Sequence, residues 1–193
     1  MATIAGINNT ALQLIKNSKT IVSLGDGTKE SNACNVIYAE LRDNLLAMHN
    51  WNFATKRLKL PRLTNAPAFE WTYGYQLPSD FIRVSMLSDN SSGTGTVAYK
   101  IEGDQVNTDA ADLYLKYVYQ VTDPNLMIPS FRLALSKFIS SYLAVALAQS
   151  ASRSVELRKE FFRTDLPLAR SIDAMQDPAD SLPESSWVTS RGG

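Results

Sequence analysis

The chain has 193 residues, 45% hydrophobic and 20% charged, which suits one folded domain with room for a smaller insert and excludes a disordered chain. Its 19 basic and 19 acidic residues cancel, so the basic excess that phosphate neutralisation demands of a dedicated nucleic-acid binder is missing. The longest purely apolar run, YLAVALA at 142–148, falls far short of the ~18 residues that suggest a bilayer span, so no membrane span is expected.

The first helix is expected over residues 7–18, with Leu12, Leu14 and Ile15 as its apolar positions. Its start, MATIAGINNTALQLIK, has no basic cluster before an apolar run and does not read as a secretory signal. The turn-forming stretch SLGDGTK follows. A second helix is expected over 29–50, capped by Thr28 or Ser31. There Ala33, Ile37, Leu41, Leu45 and Met48 recur every three or four residues, the spacing of one buried stripe.

After Asn50 the period changes. Residues 53–60 read as a strand, and Pro61 and Pro67 mark a loop. WTYGY at 71–75 and FIRVSML at 81–87 carry aromatic and β-branched residues suited to strands. LPSD at 77–80 is a turn between them. DNSSGTGT at 89–96 reads as a loop or hairpin tip, and AYKIEGDQVNT as a hairpin turning at Gly103–Asp104. In a strand over 112–120, Leu113, Leu115, Tyr117 and Tyr119 share one face, and Tyr114, Lys116, Val118 and Gln120 the other.

Helices return at Pro129. Residues 130–149 are apolar nearly all round, as in a helix central to a bundle or held between subunits. A last helix is expected over 152–176, with Val155, Phe162, Leu166, Ala169 and Ile172 inward and a kink or restart at Pro167. The pattern predicts an α+β fold. An antiparallel helical bundle (1–50 plus 129–177) is interrupted by a β-rich insert (51–128) and followed by an extended C-terminal arm (178–193).

Reactive constellations are scarce. One histidine, His49, and one cysteine, Cys34, allow neither an intrachain disulfide nor the usual zinc sites. A lone cysteine is compatible with assembly in a reducing cytosol. His49 reads as a helix-end packing residue and Cys34 as a small buried hydrophobe. GDGTK at 25–29 lacks the glycine spacing and Gly-Lys-Ser/Thr ending of a phosphate loop, and SGTGT at 92–96 opens no helix. Glu102 and Asp104 flank a turn glycine, and Glu160 pairs with Arg163 on a helix surface. The basic cluster Lys56, Arg57, Lys59 and Arg62 could face DNA or a partner, or could be the solvated side of an edge strand. Trp187, in a tail rich in proline and serine, is a candidate anchor for a partner's pocket or packs back on its own subunit.

The words HNWNFATKR (49–57), YGYQLPSDFIRV (73–84), YKIEGDQVNTDAADLYLKYV (99–118), YLAVALA (142–148) and SSWVTSR (185–191) follow one another in this order. In that order the chain resembles the head-to-tail adaptor (tail tubular protein A) family of short-tailed bacteriophages, over about residues 25–191. The resemblance implies a core of about four helices with a β-insert. It implies a non-enzymatic virion tail protein without cofactor, assembled in the host cytoplasm as a ring of roughly twelve copies. Its partners would be the portal protein and the tail tube or nozzle protein, with double-stranded DNA passing through the channel without sequence-specific binding. The resemblance assigns Ser185, Ser186, Trp187, Val188, Thr189 and Arg191 to a portal-contacting arm. The competing readings are a virion-associated cell-wall hydrolase and a small DNA-binding protein using residues 56–62.

Overall fold

The structure, a computed structural model, describes residues 1–176, so the expected arm at 178–193 lies outside the described residues. The described chain is a mixed α+β fold, with two three-stranded antiparallel sheets inserted in sequence between helices.

Helix α1 spans Ile4–Leu14, where Thr3 caps the first turn by accepting from Gly6 N–H. It lies a few residues earlier than the expected 7–18. Lys16 adopts a positive φ of 61° and the chain turns there, which ends the helix before the apolar pattern does. Helix α2 is Lys29–Ala47. Thr28 Oγ1 accepts from Ser31 N–H, so Thr28 is the cap, and Ser31 lies inside the first turn. Cys34, Tyr38, Leu41 and Leu45 form its buried stripe, flanked by partly buried Ala33, Ile37 and Met48.

The expected strand at 53–60 is shorter. A 3₁₀ turn at Asn52–Ala54 precedes β1, Thr55–Lys59. Trp51 and Ala54 are buried in the helical core, and this holds the chain in a turn before it enters the sheet. Strands β2 (Tyr73–Gln76), β3 (Phe81–Ser88), β4 (Tyr99–Glu102), β5 (Gln105–Thr108) and β6 (Tyr114–Tyr119) follow. The first sheet has the order β1-β6-β3 and the second β2-β5-β4. Gly103, with φ of 62°, occupies the first central position of the β4–β5 hairpin, where a type II′ turn requires glycine. Segment 89–98 is not a hairpin tip. It carries the chain from β3 in one sheet to β4 in the other.

The first sheet has an apolar surface on each side. Leu115 and Tyr117 of β6 pack with Tyr75, Leu87 and Val106 in a core between the two sheets. Val118, on the opposite face, is buried with Trp51, Phe131 and Leu135 in the helical core. Side-chain bonds tie the same sheet to α2. Arg83 donates to Ala47 O at 2.9 Å and Gln120 Nε2 to Asp43 Oδ2 at 2.7 Å.

Helix α3, Pro129–Ala146, packs against α1, α2 and the C-terminal helical segments. It is not covered all round, because Leu133, Tyr142 and Val145 are exposed. The last helix is α4 (Ala151–Glu160), a π-helical turn (Phe161–Asp165) and α5 (Leu166–Ala174). Its buried residues are Leu157, Phe161, Leu166, Ala169 and Asp173. Val155, Phe162 and Ile172, expected inward, are exposed instead. The inward step from Phe161 to Leu166 is five residues, which an α-helix cannot keep on one face and a π turn can. The turn ends at Asp165, and Pro167 is the second residue of α5, where its missing N–H suits the first turn of the restarted helix.

Candidate functional site

The basic cluster is divided by the alternation of β1. Lys56 lies beside the inter-sheet core, where its Nζ donates to Asp80 Oδ2 at 2.6 Å and sits 3.9 Å from the Tyr119 ring centre. Burial works to raise the Asp80 pKa, but hydrogen bonds from Lys56 and Tyr117 outweigh it and hold the carboxyl below its usual range. The Tyr117 hydroxyl is pushed up to about 12 by burial and by the same carboxylate. Arg57 and Lys59 point to the opposite face. Lys59 pairs with Asp112 at 2.9 Å, and this hydrogen bond raises its pKa. Arg62, beyond the strand, lies 4.1 Å from the Tyr73 ring centre.

The structure therefore does not gather the four cations into one patch. It adds one that the linear pattern missed, because Arg57 stands opposite Lys116 in the β1–β6 register. Arg57, Lys59, Met86, Tyr114 and Lys116 border a cleft of about 320 Å³ under the 90–93 loop. Strand spacing could have suggested Lys116, but only the pairing register reveals it.

The turn after α2 is a structural junction. Trp51, fully buried, donates Nε1–H to Leu45 O at 3.0 Å and meets Phe131 edge-on. Asn52 N–H donates to both Asp173 carboxylate oxygens, and its amide Nδ2 donates to Asp173 O. His49 Nε2 lies 3.6 Å from Asp173 Oδ2. Burial lowers the His49 pKa, against the pull of the Asp173 carboxylate. Arg170 donates to Met48 O at 2.6 Å. These contacts together lock the end of α2 to α5, and among the described residues no hydroxyl or thiol is hydrogen-bonded to His49. Cys34 is fully buried on α2, and burial pushes its thiol up to about 11.

The acidic candidates are held by local partners. Glu102 pairs with Lys100 at 3.0 Å and accepts from Asn107, while Asp104 accepts from Gln76. Glu160 pairs with Lys137 of α3 at 2.6 Å rather than with Arg163. The π turn that begins after Glu160 breaks the i,i+3 geometry the expected pair needed. In GDGTK, Asp26 accepts from Val22, Ser23 and the Ser23 hydroxyl, so a carboxylate occupies the loop where a phosphate would sit. Among the described residues no group of three His, Cys, Asp or Glu could hold a metal ion, and no helix is long and apolar enough to cross a membrane. Ser185, Ser186, Trp187, Val188, Thr189 and Arg191 lie outside the described residues.

A further unassigned feature is the rib formed by α4, the π turn and α5, together with the side of α3 beneath it. Leu133 and Leu168 are each 55% exposed and Phe162 48%, and Tyr142, Val155 and Ile172 also reach solvent. Neither a family model nor a curated protein matches the chain.

Proposed function

We propose that the chain is a structural head-to-tail adaptor. In this reading it is a virion protein that closes into a ring between the portal protein and the tail tube or nozzle of a short-tailed phage and frames the DNA ejection channel. The exposed apolar rib carries the proposal. Large apolar side chains concentrated on one helical segment mark a surface meant for protein partners. The order of sequence words from HNWNFATKR to SSWVTSR supports the family assignment. A balanced charge suits a conduit that must pass DNA without gripping it. The helices act as an antiparallel bundle forming the ring wall, the β-rich insert faces the tail, and the arm at 178–193 reaches the portal. Ring closure multiplies each arm's weak contact through avidity. No catalytic step and no cofactor enter this reading.

The test is to mix the full chain with portal rings and image the product by electron microscopy. A second ring stacked on the portal is expected, lost when residues 178–193 are deleted. Portal rings that stay bare with the full-length chain would remove the proposal.

A further inference from the structure

The rib has two different sides. On one side Lys137 of α3 bonds Glu160 at 2.6 Å. Leu133, one turn before Lys137, borders a cleft of about 230 Å³ with Leu168, Ile172 and Asp165. On the other side Arg158 lies 4.8 Å from the Tyr142 ring centre, and Phe162 stands one turn further along the rib. Leu133 and Tyr142 are nine positions apart, about half a turn out of phase at roughly 100° per residue. The cleft and the Phe162 patch therefore flank the rib and cannot touch within one copy.

The two sides are complementary in shape. A dry apolar cavity of about 150 Å³ holds a benzene molecule, so the cleft can take a phenyl ring. Phe162 is a half-exposed phenyl ring on the opposite side. They are also complementary in charge. Asp165 borders the cleft with no cation within ion-pair distance among the described residues, since the nearby Lys137 is engaged by Glu160. Burial raises the Asp165 pKa, and the charge of Lys137 offsets this only in part. Arg158 has its Tyr142 ring and no carboxylate among the described residues. Within the cleft the Ser130 hydroxyl is buried without a hydrogen-bond partner.

Resting on the adaptor reading, we infer that the occupant of the cleft is a second copy of this chain: Phe162 of one copy enters the Leu133–Leu168–Ile172 cleft of the next, and Arg158 meets Asp165. The contact joins two unlike surfaces, so each copy keeps one free side of each kind and association continues until a ring closes. A patch that paired with itself would stop at a dimer.

Cysteine trapping tests this on the full chain, both free at high concentration and bound to portal. The variant carrying Phe162→Cys and Leu168→Cys should give, on oxidation, a ladder of disulfide-linked oligomers, while each single variant gives none. Native Cys34 is fully buried and stays out of the reaction. Arg158→Asp or Asp165→Arg, added singly to the double-cysteine chain, should suppress the ladder, and the two together should restore it. No ladder in either state, dimers from Phe162→Cys alone, or a ladder indifferent to both charge reversals overturns the inference. A ladder in a chain that leaves portal rings bare keeps this contact and discards the adaptor role.

Discussion

Trp51 and His49 show how much of the fold hangs on single side chains. Trp51 fills the space between α2, α3 and the 3₁₀ turn, and its indole N–H satisfies a carbonyl near the end of α2. Trp51→Ala should cost about 3–5 kcal/mol of unfolding free energy, the range for truncating a large buried aromatic. Trp51→Phe should cost less, because ring packing survives and mainly the hydrogen bond is lost; urea titration measures both. His49 contributes a pH dependence. Burial lowers its folded pKa below the ordinary 6.5, so the unfolded chain takes up the proton first. Its contribution is complete above pH 6.5 and is lost as pH falls through the folded value. Between pH 7.5 and 5 the melting temperature of the native chain should fall more steeply than that of His49→Gln.

At the scale of elements, caps and turns were readable because their chemistry is local. Thr28 needed only its hydroxyl and the N–H three residues on. Thr28→Ala should destabilise by about 1 kcal/mol and Thr28→Asn should recover most of that, as followed by thermal melts. Gly103→Ala should cost roughly 1–2 kcal/mol, because nothing lies within 4 Å of the added Cβ and only the positive φ resists it. The last helix departs from its sequence pattern for an equally physical reason. An uninterrupted helical period turns Phe162 and Ile172 inward, whereas the five-residue step from Phe161 to Leu166 needs the π turn. Pro167 signalled an interruption, but a proline does not say whether the helix kinks or gains a residue.

At the scale of the whole described chain, the first sheet joins two cores. Val118 belongs to the helical core and Leu115 and Tyr117 to the inter-sheet core, all on one six-residue strand. Neither core can open without stripping a face from that strand. The described part should therefore unfold as one cooperative unit. Native-state amide exchange at Val106 in β5 and at Leu135 in α3 should report the same opening free energy. A markedly lower value at Val106 would mean that the second sheet opens by itself.

The division between sequence and structure follows from the range of the forces involved. Hydrophobic period, proline, glycine and cap residues act over a few positions, so the succession of helices and strands and the Gly103 turn were already written in the chain. What covers each face was not. A period fixes which residues share a side, but only packing decides whether another element sits on it. Phe162 and Ile172 look in the sequence like core residues, and the register that pairs Arg57 with Lys116 is invisible there. Tertiary structure alone left those apolar side chains uncovered, because the space a lone helix would have used for them is taken by the residues the π turn rotates into the core.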